Sequence, residues 1–253
     1  MRYIKKHHDA PIVIRHEQEL ASAHLDEASL NERRKKENLD GNVLYRQIRS
    51  TEFIQHWKDL QGLLDEEQGG VCCYCGMRLM FPDTRHYSVE HVKPRSLYPE
   101  LVGEYKNLLL SCHSSEEDRA EIKKTIRNKR DRRRLLHCDE FKEDKELHCS
   151  PLEPDCHKHF SYKLNGVVNG NDDLAKADID TLNLNCERLV TRRREQMLSY
   201  LFIDEEGAEM LDNDFLKKFR DKIEERDNDG NHYEFYFVIA DMIDNILTST
   251  SKE

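Results

Sequence analysis

The chain has 253 residues, 36% of them charged, and a formal net charge of −10. Leu, Ile, Val and Phe still fill 60 positions, above the ~20% below which chains stay disordered, so a disordered acidic polymer is excluded and one or two small-cored domains are expected. No apolar run approaches the ~18 residues of a membrane helix, and Met1-Arg2-Tyr3-Ile4-Lys5-Lys6 lacks the apolar stretch of a signal peptide. The reading is therefore cytoplasmic, with no membrane partner.

In chain order, residues 1–68 read as an N-terminal helical arm. Arg15 to Leu39 is dense in Glu, Lys, Arg, Ala and Leu, and Thr51 to Leu64 sets Phe53, Ile54, Trp57, Leu60 and Leu64 on one amphipathic face. Gly69-Gly70 breaks the pattern and opens a segment rich in Cys, His and Pro that runs over 69–160. Within it, Tyr87 to Val92 is β-prone and Asn107 to Cys112 carries a Leu triplet. Over 161–253 the helical pattern returns through Ile179, Leu182, Leu189, Met197 and Leu201. Two further helices are expected, Leu211 to Arg226 and Tyr233 to Leu247, on either side of the turn-like Asp227-Asn228-Asp229-Gly230. The cluster Tyr233, Phe235, Tyr236 and Phe237 reads as core. The fold class is mainly α around a small metal-bearing centre.

Eight cysteines in a chain without an export signal read as reduced thiols, and their clustering reads as metal ligation. Cys72-x-x-Cys75-Gly76 has the spacing of a zinc knuckle, in which two thiolates bind one tetrahedral ion from a tight turn. Cys112 is the third ligand. Cys138 is preferred as the fourth, with His113 and His137 as alternatives; this makes an expanded second knuckle split by a basic insertion at 113–137. Cys73 is a bystander. A closed four-thiolate zinc site supplies folding energy and no open coordination position. His148, Cys149, Cys156, His157 and His159 form a further cluster whose spacing matches no metal motif.

Between the knuckles lie Val89-Glu90-His91-Val92-Lys93-Pro94-Arg95 and Tyr105-Lys106-Asn107-Leu108-Leu109-Leu110. Hydrolysis of a phosphodiester needs a general base of near-neutral pKa, the role His fills, and a hard cation held by oxygen donors such as Glu. Neighbours on a strand face opposite ways, so Glu90 and His91 can serve one site only where the strand ends, and Lys93-Pro94 supplies that terminator. An Asn carbonyl can orient an imidazole.

The ordered series Cys72, Cys75, Glu90, His91, Asn107, Cys112 and Cys138 resembles the HNH endonucleases. That resemblance implies a ββα-metal (HNH) finger stabilised by a structural zinc knuckle, so 69–160 is read as the nuclease core. It further implies that His91 is the general base, that Glu90 binds a catalytic Mg²⁺ or Mn²⁺, and that Asn107 holds His91 or its loop in register. The family's last metal-binding position usually follows the final knuckle Cys as His or Asn; here that place is Asp139, with Lys142 where a lysine commonly follows. His113 and His137 are the alternatives to Asp139.

More loosely, Met1 to Lys6, the approach Glu67-Gln68-x-x-x-Cys72-x-Tyr74-Cys75, and Leu182 to Asn185 with Arg192 to Arg194 resemble one branch of the family. It comprises the PtuB-type nuclease subunits of Septu-type and retron-linked antiphage systems. That likeness implies a defence role and an ATPase partner of ABC/SMC type (PtuA-like); the chain itself has no Walker loop.

The stretch from Lys123 to Arg134 holds eight basic side chains (Lys123, Lys124, Arg127, Lys129, Arg130, Arg132, Arg133, Arg134) and one acidic one, leaving −17 on the other 241 residues. With Lys93 and Arg95 it is a candidate phosphate-backbone contact, and Arg192 to Arg194 is a second candidate patch. The leading reading is a metal-dependent HNH endonuclease that cuts or nicks nucleic acid, DNA before RNA. An acidic body with one basic strip predicts weak binding by the isolated subunit. The alternatives are a catalytically silent zinc-stabilised adaptor for nucleic acid or an ATPase, and an HNH ribonuclease acting on tRNA or other RNA.

Overall fold

The computed structural model describes residues 1–6, 40–49, 54–113, 124, 128, 133–201 and 212–250. The expected helix over Arg15 to Leu39 lies outside them, as does most of the basic insertion. The described elements are mixed: helices around two small antiparallel sheets.

Helix α1 spans Gly41–Ile48 and α2 spans Ile54–Gln68. Helix α2 buries Trp57, Leu60 and Leu64, the face its spacing predicts, and packs on the second strand of the first sheet. Gly69 and Gly70 both take positive φ and turn the chain into the Cys72–Cys75 loop. Strand β1 (Tyr87–His91) pairs antiparallel with β2 (Leu108–Cys112), with Glu90 opposite Leu109 and His91 opposite Leu108. All five residues of β2 are buried, which explains a continuous apolar run where a half-exposed strand would alternate. After Cys138 comes a single helical turn, α3 (Asp139–Lys142).

A second hairpin, β3 (Phe160–Tyr162) with β4 (Val168–Gly170), precedes α4 (Asp173–Leu182). Asp172 caps α4 by accepting from the Ala175 N–H, and Asn183 ends it in the left-handed conformation, φ 49° and ψ 43°. Helix α5 (Glu187–Leu201) follows, so the expected continuous periodicity from Ile179 to Leu201 is two helices broken at Asn183. Helix α6 (Asn213–Glu224), capped by Asp212, packs against α7 (Tyr236–Thr250). Val238, Ile239, Met242 and Ile243 on α7 are fully buried, worth roughly 1.5–3 kcal/mol each. Phe235 and Phe237 are buried with them, so the aromatic cluster is core, as expected.

One apolar cluster joins side chains from α2, the cysteine loop, both sheets and α4 to α7. Cys72, Cys75, Cys112 and Cys138 sit inside it. No described helix is long and apolar enough to cross a membrane.

Candidate active site and metal centre

The cysteine loop is a tight turn. Cys72 N–H donates to the Met77 carbonyl (2.8 Å), Gly76 N–H to that of Cys72 (3.1 Å), and Val71 bridges Arg78. Gly76 has φ +85°, and a Cβ there would stand 2.9 Å from the Phe237 ring, so both backbone and packing demand glycine. Gln68 ties the loop to β2: its amide donates to the Val71 and Leu110 carbonyls (2.8 Å each), and its oxygen accepts from Leu110 N–H (2.6 Å).

The four cysteines chosen by spacing come together. The sulfurs of Cys72, Cys75, Cys112 and Cys138 all lie within 4.8 Å of one another, and all four residues are buried. Cys75–Cys112, Cys72–Cys138 and Cys112–Cys138 are 3.4, 3.9 and 3.9 Å apart. Four sulfurs at ~2.3 Å from a tetrahedral zinc would be ~3.8 Å apart, so the donor set fits such an ion. His137 is buried beside it, with Nδ1 3.3 Å from the Cys138 sulfur, while His113 turns Nε2 to the Tyr87 carbonyl (2.9 Å). Burial, and then hydrogen bonding with Cys112, holds the Cys138 thiol well above its ordinary pKa, a cost that a bound cation would relieve. All eight cysteines are free thiols and buried.

Tyr74, inside this loop, reaches the second centre. Its hydroxyl donates to Glu90 Oε1 (2.6 Å), and Lys142 Nζ lies 2.7 Å from the same oxygen. Glu90 and Lys142 are 3% and 1% exposed, so the pair sits in the protein interior. Burial first, and then the neighbouring Asp139 carboxylate, pushes the Glu90 carboxyl well above its usual range, with Lys142 opposing. Asp139 is half-buried; its Oδ2 accepts from Ser88 Oγ (2.7 Å), and its N–H donates to Ser111 Oγ (3.3 Å). Ser88 and Ser111 pair directly across the sheet, so the hairpin register fixes where α3 starts. Two adjacent carboxylates, with two hydroxyls and one ammonium around them, form an oxygen-donor set suited to a hard divalent cation.

His91 closes β1 at its C-terminal end. Nε2 lies 3.0 Å from the Val102 carbonyl, and Nδ1 is buried without a hydrogen-bond partner. A carbonyl only accepts, so Nε2 carries the proton and Nδ1 keeps its lone pair. Burial and the Arg95 charge lower the His91 pKa to about 4. The Tyr45 ring packs edge-on against the imidazole, centroids 5.1 Å apart.

Asn107 holds the loop and not the ring. Its Oδ1 accepts from Lys93 N–H (2.7 Å), and its Nδ2 donates to the Lys93 and Leu101 carbonyls (3.1 and 3.3 Å). Orientation of the imidazole falls to Val102.

Several basic candidates are engaged. Lys93 pairs with Glu146 (2.8 Å), Arg95 donates to Asn42 Oδ1 (2.9 Å) and stacks over Tyr45, and Arg133 forms a forked pair with Glu143 (2.6 and 2.9 Å). Lys124 and Arg134 are exposed. Lys123, Arg127, Lys129, Arg130 and Arg132 lie outside the described residues. Arg193 departs from the surface reading of Arg192 to Arg194. It is 1% exposed and donates to the Leu184 and Leu189 carbonyls, because α5 turns that side inward. Sequence reasoning missed Tyr74, Ser88 and Tyr45; the alternation of Ser88 with Glu90 on one strand face was the signal available for the second.

No family model matches the chain. A protein of Vibrio cholerae serotype O1 biovar El Tor, "Retron Vc95 putative HNH endonuclease", is 26% identical over 163 residues, spanning 59% of this chain and 70% of the relative. The chain resembles the HNH endonucleases.

Proposed function

We propose that the chain is a metal-dependent HNH endonuclease, a phosphodiester hydrolase built on a ββα-metal finger over 69–160 and steadied by zinc at the four cysteines. The observation that carries this reading is the convergence of Glu90, Asp139 and Lys142 at the end of β1, next to His91 with its unpartnered Nδ1. The likeness to the retron protein supports it.

His91 Nδ1 takes a proton from the attacking water, and the Val102 carbonyl keeps the imidazole in the tautomer that can do so. Asn107 holds the Lys93 loop against β1, which fixes the distance between base and carboxylates. Glu90 and Asp139 would hold a Mg²⁺ or Mn²⁺ ion, which supplies charge stabilisation at the scissile phosphate. Lys142 opposes the burial that favours a protonated Glu90 and donates to the His91 carbonyl (3.3 Å). Nucleic acid, DNA before RNA, is the substrate of this reading, which places the chain as the effector of an antiphage complex with an ATPase partner. The basic run Lys123 to Arg134 supplies sequence-independent phosphate contacts.

Replacing His91 by Ala is expected to abolish Mg²⁺- or Mn²⁺-dependent cleavage of plasmid DNA by the chain co-purified with the ATPase partner of this reading, with zinc content unchanged. Cleavage at the wild-type rate would sink the assignment.

A further inference from the structure

We propose that Cys149, His159 and Asp172 bind a second metal ion of the zinc class, separate from the four-cysteine cluster. Their donor atoms all lie within 4.8 Å of one another, although the residues are spread over 24 positions of sequence. Three different pieces of backbone bring them together. Cys149 comes from the loop after α3, His159 ends the 3₁₀ turn Cys156–His159 that leads into β3, and Asp172 is the N-cap of α4.

Each donor is held from behind. The buried Asp178 carboxylate accepts from Cys149 N–H (2.7 Å) and from His148 N–H (3.0 and 3.1 Å), fixing the loop that presents the sulfur. The hairpin is extended by Asn171 N–H donating to the His159 carbonyl (2.8 Å), which sets the imidazole beside Asp172. Asp172 uses Oδ1 for the helix cap (Ala175 N–H, 2.8 Å) and turns Oδ2 to His159 Nδ1 at 2.5 Å. The bonds from Asp178, Asn171 and Ala175 are the outer kind that orient metal ligands, while the His159–Asp172 contact joins two ligands and gives way to the ion when it binds.

The donor set is one thiolate, one imidazole and one carboxylate. With a divalent ion and a neutral imidazole the charges cancel, and the thiol proton leaves to solvent on binding. Cys149 is buried, whereas His159 and Asp172 are 38% and 40% exposed, so an ion can enter and the fourth position opens to water. A Cys-His-Asp nucleophile is the competing chemistry for these residues. It fails on charge: a reactive thiolate needs positive surroundings, and the charges acting on Cys149 are those of Asp178, Asp172 and Glu153. Those same carboxylates favour a cation.

The site would also brace the candidate active centre. Three residues before Cys149, Glu146 accepts from Lys93 Nζ and Tyr98 hydroxyl (2.8 Å each), both on the loop that follows His91. An ion at Cys149 fastens that strut to α4.

Metal content of the full chain, purified with zinc and measured by elemental analysis, tests the proposal. The wild type is expected to carry one equivalent more than His159→Gln, Asp172→Asn or Cys149→Ser. His157→Gln, an exposed neighbour, should match the wild type. In the cobalt-loaded protein, Cys149→Ser should lower the sulfur-to-cobalt absorption by about a fifth, one thiolate of five. His159→Gln changes a half-exposed side chain, so its fold should hold even if Cys149→Ser does not. Equal metal content in the wild type and the three ligand variants overturns the site, as does an equal loss in His157→Gln. Ion counts do not depend on catalysis, so this outcome is separate from that of the proposed function.

Discussion

Asn107 shows how one buried amide can hold the loop that follows His91. It makes three hydrogen bonds to the backbone of Lys93 and Leu101, and Asn107→Ala strips all three while leaving those groups buried. At about 1 kcal/mol per bond, the expected loss in a denaturant titration is ~2–3 kcal/mol, with the rate constant for cleavage falling more than substrate affinity. His232 makes a different residue-scale prediction. Its ring stacks on Tyr236 (3.9 Å), its Nδ1 is buried unpartnered, and burial with the Arg226 charge lowers its pKa to about 4. Below about pH 6.5 the unfolded chain protonates this histidine and the folded chain does not until about pH 4, so the residue makes stability fall as pH drops across that window. Asp65, pushed up to about 6 by burial, works in the opposite direction, so the variant must be compared with the wild type. His232→Phe keeps the stack and should lose about 1 kcal/mol less between pH 6.5 and 4, after discounting for solvent.

At the scale of elements, turns decide more than propensities. The Cys72–Cys75 loop depends on Gly76, whose positive φ and contact with Phe237 leave no space for a side chain. Gly76→Ala should cost ~1–3 kcal/mol by thermal unfolding and weaken zinc retention against a chelator, because turn and sulfurs move together. The end of α4 is a second junction. Asn183 takes the left-handed conformation and donates to the Arg134 and Leu136 carbonyls (2.9 and 2.7 Å), pinning the chain just before Cys138. Asn183→Gly preserves the backbone and removes both bonds, so metal retention should fall while the helical circular dichroism stays. The hairpin β3–β4 was legible and went unread: Asn165-Gly166 between short apolar-aromatic runs is a strong hairpin signal.

At the scale of the molecule, the cysteine cluster and the apolar core are one body. Cys72, Cys75, Cys112 and Cys138 are core residues, touched by side chains from helices on both sides in sequence. If an ion is held there, chelating it should lower the thermal midpoint of the whole chain, by ~10 °C or more, and not melt one segment alone. Charge works at the same scale. The −17 outside Lys123 to Arg134 leaves that run as the strongest cationic stretch in the sequence. Replacing its eight basic residues by Gln should flatten the salt dependence of DNA binding by about one unit of log–log slope per lost phosphate contact.

Residue types and spacing alone determined the four sulfur donors, the Glu90-His91 pair at a strand end, and most helices, because thiolate chemistry and side-chain periodicity are local. What Asn107 bonds to, that His113 turns away from the cysteines while His137 lies against them, and why Arg193 is buried were settled by the tertiary structure. So was the meeting of Cys149 with His159 and Asp172. Each of these depends on where a hydrogen bond or a donor atom ends up after distant segments pack. Asp172 reads in sequence as a helix cap; only the β3–β4 hairpin lays His159 against it, and only Asp178 draws Cys149 to the pair.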